Sequence, residues 1–162
     1  MKDRSPQDLA PRSALRMRRT DARDPAFQEL VAALDKDLAI RDGADHAFFA
    51  QYNGSDSIRH VVVVTDGDLG VGCGAFKPFA PDAVEIKRMY TAPSHRRRGL
   101  AARVLAELER WAASLGYARC VLETGEKQPE AIALYSRHGY AVIPNYGPYI
   151  GVESSVCFEK VL

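Results

Sequence analysis

Apolar and polar positions along the chain change period several times, and each change marks an element. The clearest helix follows Gly99. Leu100, Val104, Leu105, Leu108, Trp111, Ala112 and Leu115 form one apolar stripe, while Arg103, Glu107 and Arg110 occupy the other face. Gly116 sits where such a helix stops. An earlier helix is predicted from Asp24 as N-cap and Pro25 as first residue, with Phe27, Leu30, Val31, Leu34 and Leu38 on one face and Asp42-Gly43 at its end. Shorter helices are expected around His46 to Tyr52 and from Pro129 to the stop at Gly139.

Strand patterns run over Ala14 to Arg19, Ile58 to Thr65, Leu69 to Phe76, Ala83 to Thr91, Arg119 to Thr124, Tyr140 to Ile143 and Ser155 to Leu162. Asp66-Gly67-Asp68 reads as a hairpin turn and Pro78 to Asp82 as another, so the second, third and fourth strands form an antiparallel meander. Pro144 to Gly151 is too rich in proline and glycine for a regular element. The order of elements predicts an α+β fold, a sheet with helices on both faces.

Composition narrows the classes. A chain of 162 residues with formal charge +1 holds one domain, over residues 14–162, and offers no general attraction to nucleic acid or to a membrane surface. Residues 1–13 carry two prolines and several charges without periodicity and are read as a mobile leader. Cys73, Cys120 and Cys157 are odd in number, far apart and flanked by apolar residues, which argues against a disulfide framework or zinc site and for buried thiols in a reducing compartment. The four histidines show no metal-ligand spacing, so no metal is expected. Neither a spanning apolar run nor a signal-peptide core is present, and a cytoplasmic location is expected.

The candidate chemistry lies in Arg96-Arg97-Arg98-Gly99-Leu100-Ala101, which joins a strand to the long helix. The first turn of a helix leaves backbone N–H groups unpartnered and carries the positive end of the macrodipole, so an anion is stabilised there. Gly99, lacking a Cβ, lets such an anion approach the backbone. Three solvated loop arginines are the plainer alternative. The glycine fingerprints of dinucleotide-binding folds and of P-loops are absent.

This loop, together with Val84-Glu85-Ile86-Lys87-Arg88-Met89-Tyr90 before it and Ala131-Ile132-Ala133-Leu134-Tyr135-Ser136-Arg137-His138-Gly139-Tyr140 after it, resembles the GNAT superfamily of acetyl-CoA-dependent N-acetyltransferases. The resemblance covers roughly residues 14 to 162. It implies a three-layer arrangement around a mixed, mostly antiparallel sheet of six to seven strands. It also implies that the strand before the loop carries a bulge and splays from its neighbour, leaving backbone of Met89, Tyr90 and Thr91 for the pantetheine arm. The N–H groups from Arg97 through Arg98, Gly99 and Leu100 to Ala101, with Arg96 beside them, would hold the coenzyme pyrophosphate. Gln128 falls where many members place an asparagine, a departure that weakens its assignment as a cofactor contact.

The same resemblance implies acetyl transfer from acetyl-CoA, as cosubstrate, to a primary amine of a small molecule or peptide. Glu85 takes the position of the catalytic glutamate in some members and is a candidate base; a cross-strand glutamate paired with Lys87 or Arg88, or a base acting through water, are the alternatives. Tyr135 takes the position of the tyrosine that reaches the coenzyme sulfur, although by spacing it shares a helical face with Ala131, Leu134 and His138 and could be core. Acceptor-pocket candidates are His46 and Phe49, whose cluster is more often simply core, and, as better candidates, Tyr146 and Tyr149, aromatics held rigid in the Pro/Gly frame of the late loop. A cysteine acyl-enzyme is disfavoured, because neither Cys73 nor Cys120 has a neighbouring histidine or helix N-terminus to activate it. A non-catalytic acyl-CoA-binding module is the alternative class. Dimerisation is common in the family, but no surface stripe selects a homodimer here.

Overall fold

A computed structural model describes residues 14–162; the expected leader, 1–13, lies outside them. The elements are β1 (Leu15–Thr20), α1 (Pro25–Asp42), α2 (His46–Ala50), β2 (His60–Asp66), β3 (Leu69–Ala80), β4 (Ala83–Thr91), α3 (Leu100–Ser114), β5 (Arg119–Gly125), α4 (Pro129–Arg137), β6 (Ala141–Ile143) and β7 (Ser155–Val161). One sheet of seven strands runs in the order β1-β2-β3-β4-β5-β7-β6, antiparallel throughout except for the β4–β5 pair.

Four consecutive valines in β2 show how the sheet is sandwiched. Val61 and Val63 pack with Phe27 and Leu30 of α1, while Val62 and Val64 pack with Val104, Leu105 and Leu108 of α3, and all four are buried. Alternation along a strand sends neighbours to opposite faces, so a continuous apolar run belongs to a strand covered on both sides. Helix α1 starts where expected: the Asp24 carboxylate accepts from Ala26 N at 2.9 Å and is itself gripped by Arg18.

Strand β3 is longer than its sequence pattern predicts. It continues through Lys77, Pro78 and Phe79, and the turn before β4 shrinks to Pro81-Asp82. The register slips between Pro78 and Ala80, an irregularity of the kind where a missing N–H is tolerated.

Two local features of β4 shape the molecule. Opposite Gly74, β4 carries an extra residue, since Cys73 pairs with Tyr90 and Ala75 with Lys87; Arg88 takes φ +59° to make this bulge. A Cβ at Gly74 would come within 2.9 Å of both Val104 and Leu108, so only glycine lets α3 lie this close to the bulge. Further along the sheet, β4 pairs with β5 only from Ala83 to Glu85, opposite Arg119 to Val121. Beyond Glu85 the two strands part, and the edge of β4 facing β5 has no ladder partner.

Candidate active site

The cleft that opens between the parted strands has a volume of about 730 Å³. Its floor includes Met89, Tyr90 and Thr91 from the free part of β4, and one wall is the start of α3. Between β4 and α3 the chain makes a single tight turn over Pro93–His95, then passes through Arg97 at φ +64° and Gly99 at φ +74°. The first bond of the helix ladder is Arg103 N to Gly99 O at 3.2 Å. The N–H groups before it therefore have no helical acceptor and are available to an anion at this end of the cleft. A Cβ at Gly99 would meet nothing within 4 Å, so the space over this backbone is open.

The three arginines behave differently. Arg96 and Arg97 line the cleft, whereas Arg98 does not. Arg96 folds back, its Nε donating to Thr91 O at 3.0 Å and its guanidinium lying 5.7 Å from the Tyr90 ring centroid. The loop is also tied from below. Buried His95 shares a hydrogen bond of 2.9 Å between Nε2 and Asp66 Oδ2 in the β2–β3 turn, and one of 2.7 Å between Nδ1 and Ser94 Oγ.

Helix α4 supplies the opposite wall. Gln128, at its N-terminus, and Tyr135 both line the cleft. Burial first, and then the charge of Glu123, push the Tyr135 phenol well above its ordinary pKa, so it stays protonated and able to donate. Arg41 of α1 reaches across to Glu130 of α4 while also holding Asp37 at 3.2 Å.

Of the residues expected at the acceptor, Phe49 lines this cleft. Tyr146 and Tyr149 instead line a second cavity of about 580 Å³ together with Tyr52 and Phe79, and His46 borders neither. Glu85, the candidate base, lines this second cavity and not the first. Its Oε2 accepts from Tyr146 Oη at 2.6 Å, and its Oε1 lies 3.8 Å from Lys77 Nζ and 3.9 Å from Lys87 Nζ. Lys87 borders both cavities, donates to Tyr52 O at 2.9 Å and is pushed down in pKa chiefly by burial.

The sequence reading missed Glu123. This carboxylate stands on β5 in the cleft with Tyr135, and burial raises its pKa to about 7, with Ser155 and Lys87 drawing it down and Glu85 and Asp42 adding to the rise. The available signal was a lone acid inside the apolar run Arg119 to Thr124. The thiols offer no competing nucleophile: all three are buried, and burial pushes Cys73 to about 12 and Cys120 to about 11. Among the described residues, no group of three His, Cys, Asp or Glu is placed to hold a metal, and no helix is long and apolar enough to cross a membrane.

An anion-ready helix start thus lies beside a gap between parallel strands, with a protonated phenol across the cleft, and by its family the chain is an acyltransferase. The chain belongs to the acetyltransferase (GNAT) family, whose sequence profile matches residues 16–140. It is 32% identical over 150 residues to the IAA acetyltransferase of Azospirillum brasilense, covering 88% of this chain and 97% of that one. A crystal structure described as an acyl-CoA N-acyltransferase from Klebsiella pneumoniae is 30% identical and superposes with a TM-score of 0.76, covering 93% of this chain and 99% of that one. The PaiA N-acetyltransferase of Thermoplasma acidophilum, in complex with coenzyme A, shares the fold at 15% identity and a TM-score of 0.68, over 92% of this chain and 99% of that one.

Proposed function

We propose that the protein transfers the acetyl group of acetyl-CoA to a primary amine of a small molecule or peptide, by direct attack while donor and acceptor are bound together. One observation carries this reading: the unpartnered N–H groups at the start of α3 adjoin the unpaired edge of β4. The first suits a pyrophosphate and the second an amide-bearing arm, which is the chemistry of coenzyme A.

In this reading the N–H groups from Arg97 to Ala101 grip the pyrophosphate, and backbone of Met89, Tyr90 and Thr91 pairs with the pantetheine arm. Arg96 braces the loop through Thr91, and Gln128 touches the arm from α4. Tyr135 donates its proton to the departing sulfur, consistent with a phenol that burial keeps protonated. The acceptor enters beside α1 and α2, past Phe49, with Tyr146 and Tyr149 shaping the outer cavity. Direct attack is favoured over an acyl-enzyme because the buried thiols are held protonated.

Calorimetry with acetyl-CoA tests the donor half, and failure to bind at millimolar ligand removes it. Thiol release in the presence of amino acids, polyamines, arylalkylamines and peptide N-termini tests the transfer half. Binding without release from any of these removes the acceptor assignment while sparing the donor site.

A further inference from the structure

Removal of a proton from the acceptor ammonium needs a carboxylate that reaches the cleft holding Tyr135, and the two glutamates of this region differ in that respect. Glu85 is the last β4 residue paired with β5, opposite Val121. It is buried, its Oε2 is taken by Tyr146, and its side chain borders the outer cavity. Glu123 lies two positions beyond Val121 on β5, past the last rung of the ladder, where the strands have parted. Alternation puts it on the same face of the sheet as Val121 and hence as Glu85 and Lys87. Unlike Glu85, it is partly exposed and lines the cleft shared with Met89, Gln128 and Tyr135.

We infer that Glu123, rather than Glu85, is the general base of the transfer, taking a proton from the acceptor ammonium across the cleft from Tyr135. This rests on the acetyl-transfer reading above. The ammonium gives one proton to a Glu123 oxygen, which later returns it to solvent. The freed lone pair forms the N–C bond to the thioester carbonyl, and the C–S bond breaks. Tyr135 passes its proton to the sulfur and is restored by the second proton that the nitrogen sheds, so the products are the amide and free coenzyme thiol.

The surroundings of Glu123 suit the task. From β4 it feels Lys87 and Glu85, from α1 Asp42, from α4 Tyr135, from the late loop Tyr149, and from β7 Ser155 and Cys157. The balance leaves a carboxyl that titrates at about 7, close to the pH at which a base must both accept and release a proton. Glu85 is left a positioning role, holding Tyr146 at the mouth of the outer cavity.

The test compares Glu123→Gln with Glu85→Gln, each first shown by calorimetry to bind acetyl-CoA. With the best acceptor from the amine panel, kcat/KM is followed against pH by thiol release. Glu123→Gln is expected to lower kcat/KM by about 100-fold or more and to abolish the acidic limb of the profile, whereas Glu85→Gln keeps that limb. Glu123→Gln within about fivefold of the parent, limb intact, overturns the inference and leaves the acetyl-transfer reading standing. Independently of any acceptor, the side-chain carboxyl 13C signal that disappears in Glu123→Gln should titrate near 7 in the parent protein. A midpoint in the ordinary carboxylate range of about 4 to 5 overturns the inference by itself.

Discussion

Replacing Gly99 by valine separates the two things this residue does. In the free protein, a Cβ at Gly99 meets no atom within 4 Å beyond its chain neighbours, so the main stability cost is that of forcing a β-branched residue to φ +74°. Such backbone strain costs about 1 to 3 kcal/mol. In the proposed coenzyme complex the same side chain would fill the open space over the N–H groups assigned to the pyrophosphate. Losing a single charge-assisted hydrogen bond there costs about 1.5 to 3 kcal/mol, so coenzyme A should bind at least roughly 10-fold more weakly. Arg97 is exposed and offers one mobile charge, and Arg97→Ala should cost less than about fivefold. Urea denaturation reads the first quantity. Calorimetry with coenzyme A, run where every variant is folded and at a fixed salt concentration, reads the second. If Arg97→Ala weakens coenzyme binding more than Gly99→Val does, the backbone is not the principal grip and the argument fails.

Tyr135→Phe should leave coenzyme A affinity unchanged and lower turnover by roughly 100-fold, measured by thiol release; unchanged turnover removes the residue from the reaction. Gly74→Ala should destabilise the fold by about 1 to 3 kcal/mol, because the new methyl lies 2.9 Å from Val104 and Leu108, and a melting temperature equal to the parent's would contradict that packing. The pH dependence of stability should carry the mark of Glu123. Its carboxyl is raised in the folded state, so the folded protein holds the proton more tightly than the unfolded chain. That contribution is complete below the unfolded value of 4.5 and is lost as pH climbs to about 7, which amounts to roughly 3 kcal/mol at most. Glu123→Gln should thus gain stability over the parent through this window and hold the gain above it, as read by denaturation at pH 4, 6 and 8.

What was legible in the chain, and what was not, divides along the range of the forces involved. The start of α1 at Asp24-Pro25, the stripe of α3 and the anion-ready turn at Gly99 depend on residues within a few positions of one another, and all three lie where the pattern puts them. The length of β3 did not follow, because Pro78 reads as punctuation until β4 is seen lying alongside it. Glu123 was hidden for a related reason. Its alternation could be read, but not the end of the β4–β5 ladder after Glu85 and Val121, which turns an ordinary strand position into a cleft wall. Tyr146 and Tyr149 were recognised as a rigid aromatic pair, yet the partner that fixes Tyr146 lies 61 residues away in sequence. Asn145, whose Nδ2 donates to the carbonyls of Val152 and Ser155, ties that loop to the start of β7.

The three-rung junction between β4 and β5 has a mechanical meaning as well. It divides the sheet into a four-stranded half, β1 to β4, and a three-stranded half, β5 to β7, sewn together along less than half of the available seam. A ligand whose amides pair with the unlaced edge acts as a strand of the sheet while it is bound. Part of its binding energy then goes into fastening the two halves, and it should show as slower amide exchange at Met89 to Thr91 and as a ligand-dependent rise in melting temperature. The donor would leave the molecule looser each time the spent thiol departs.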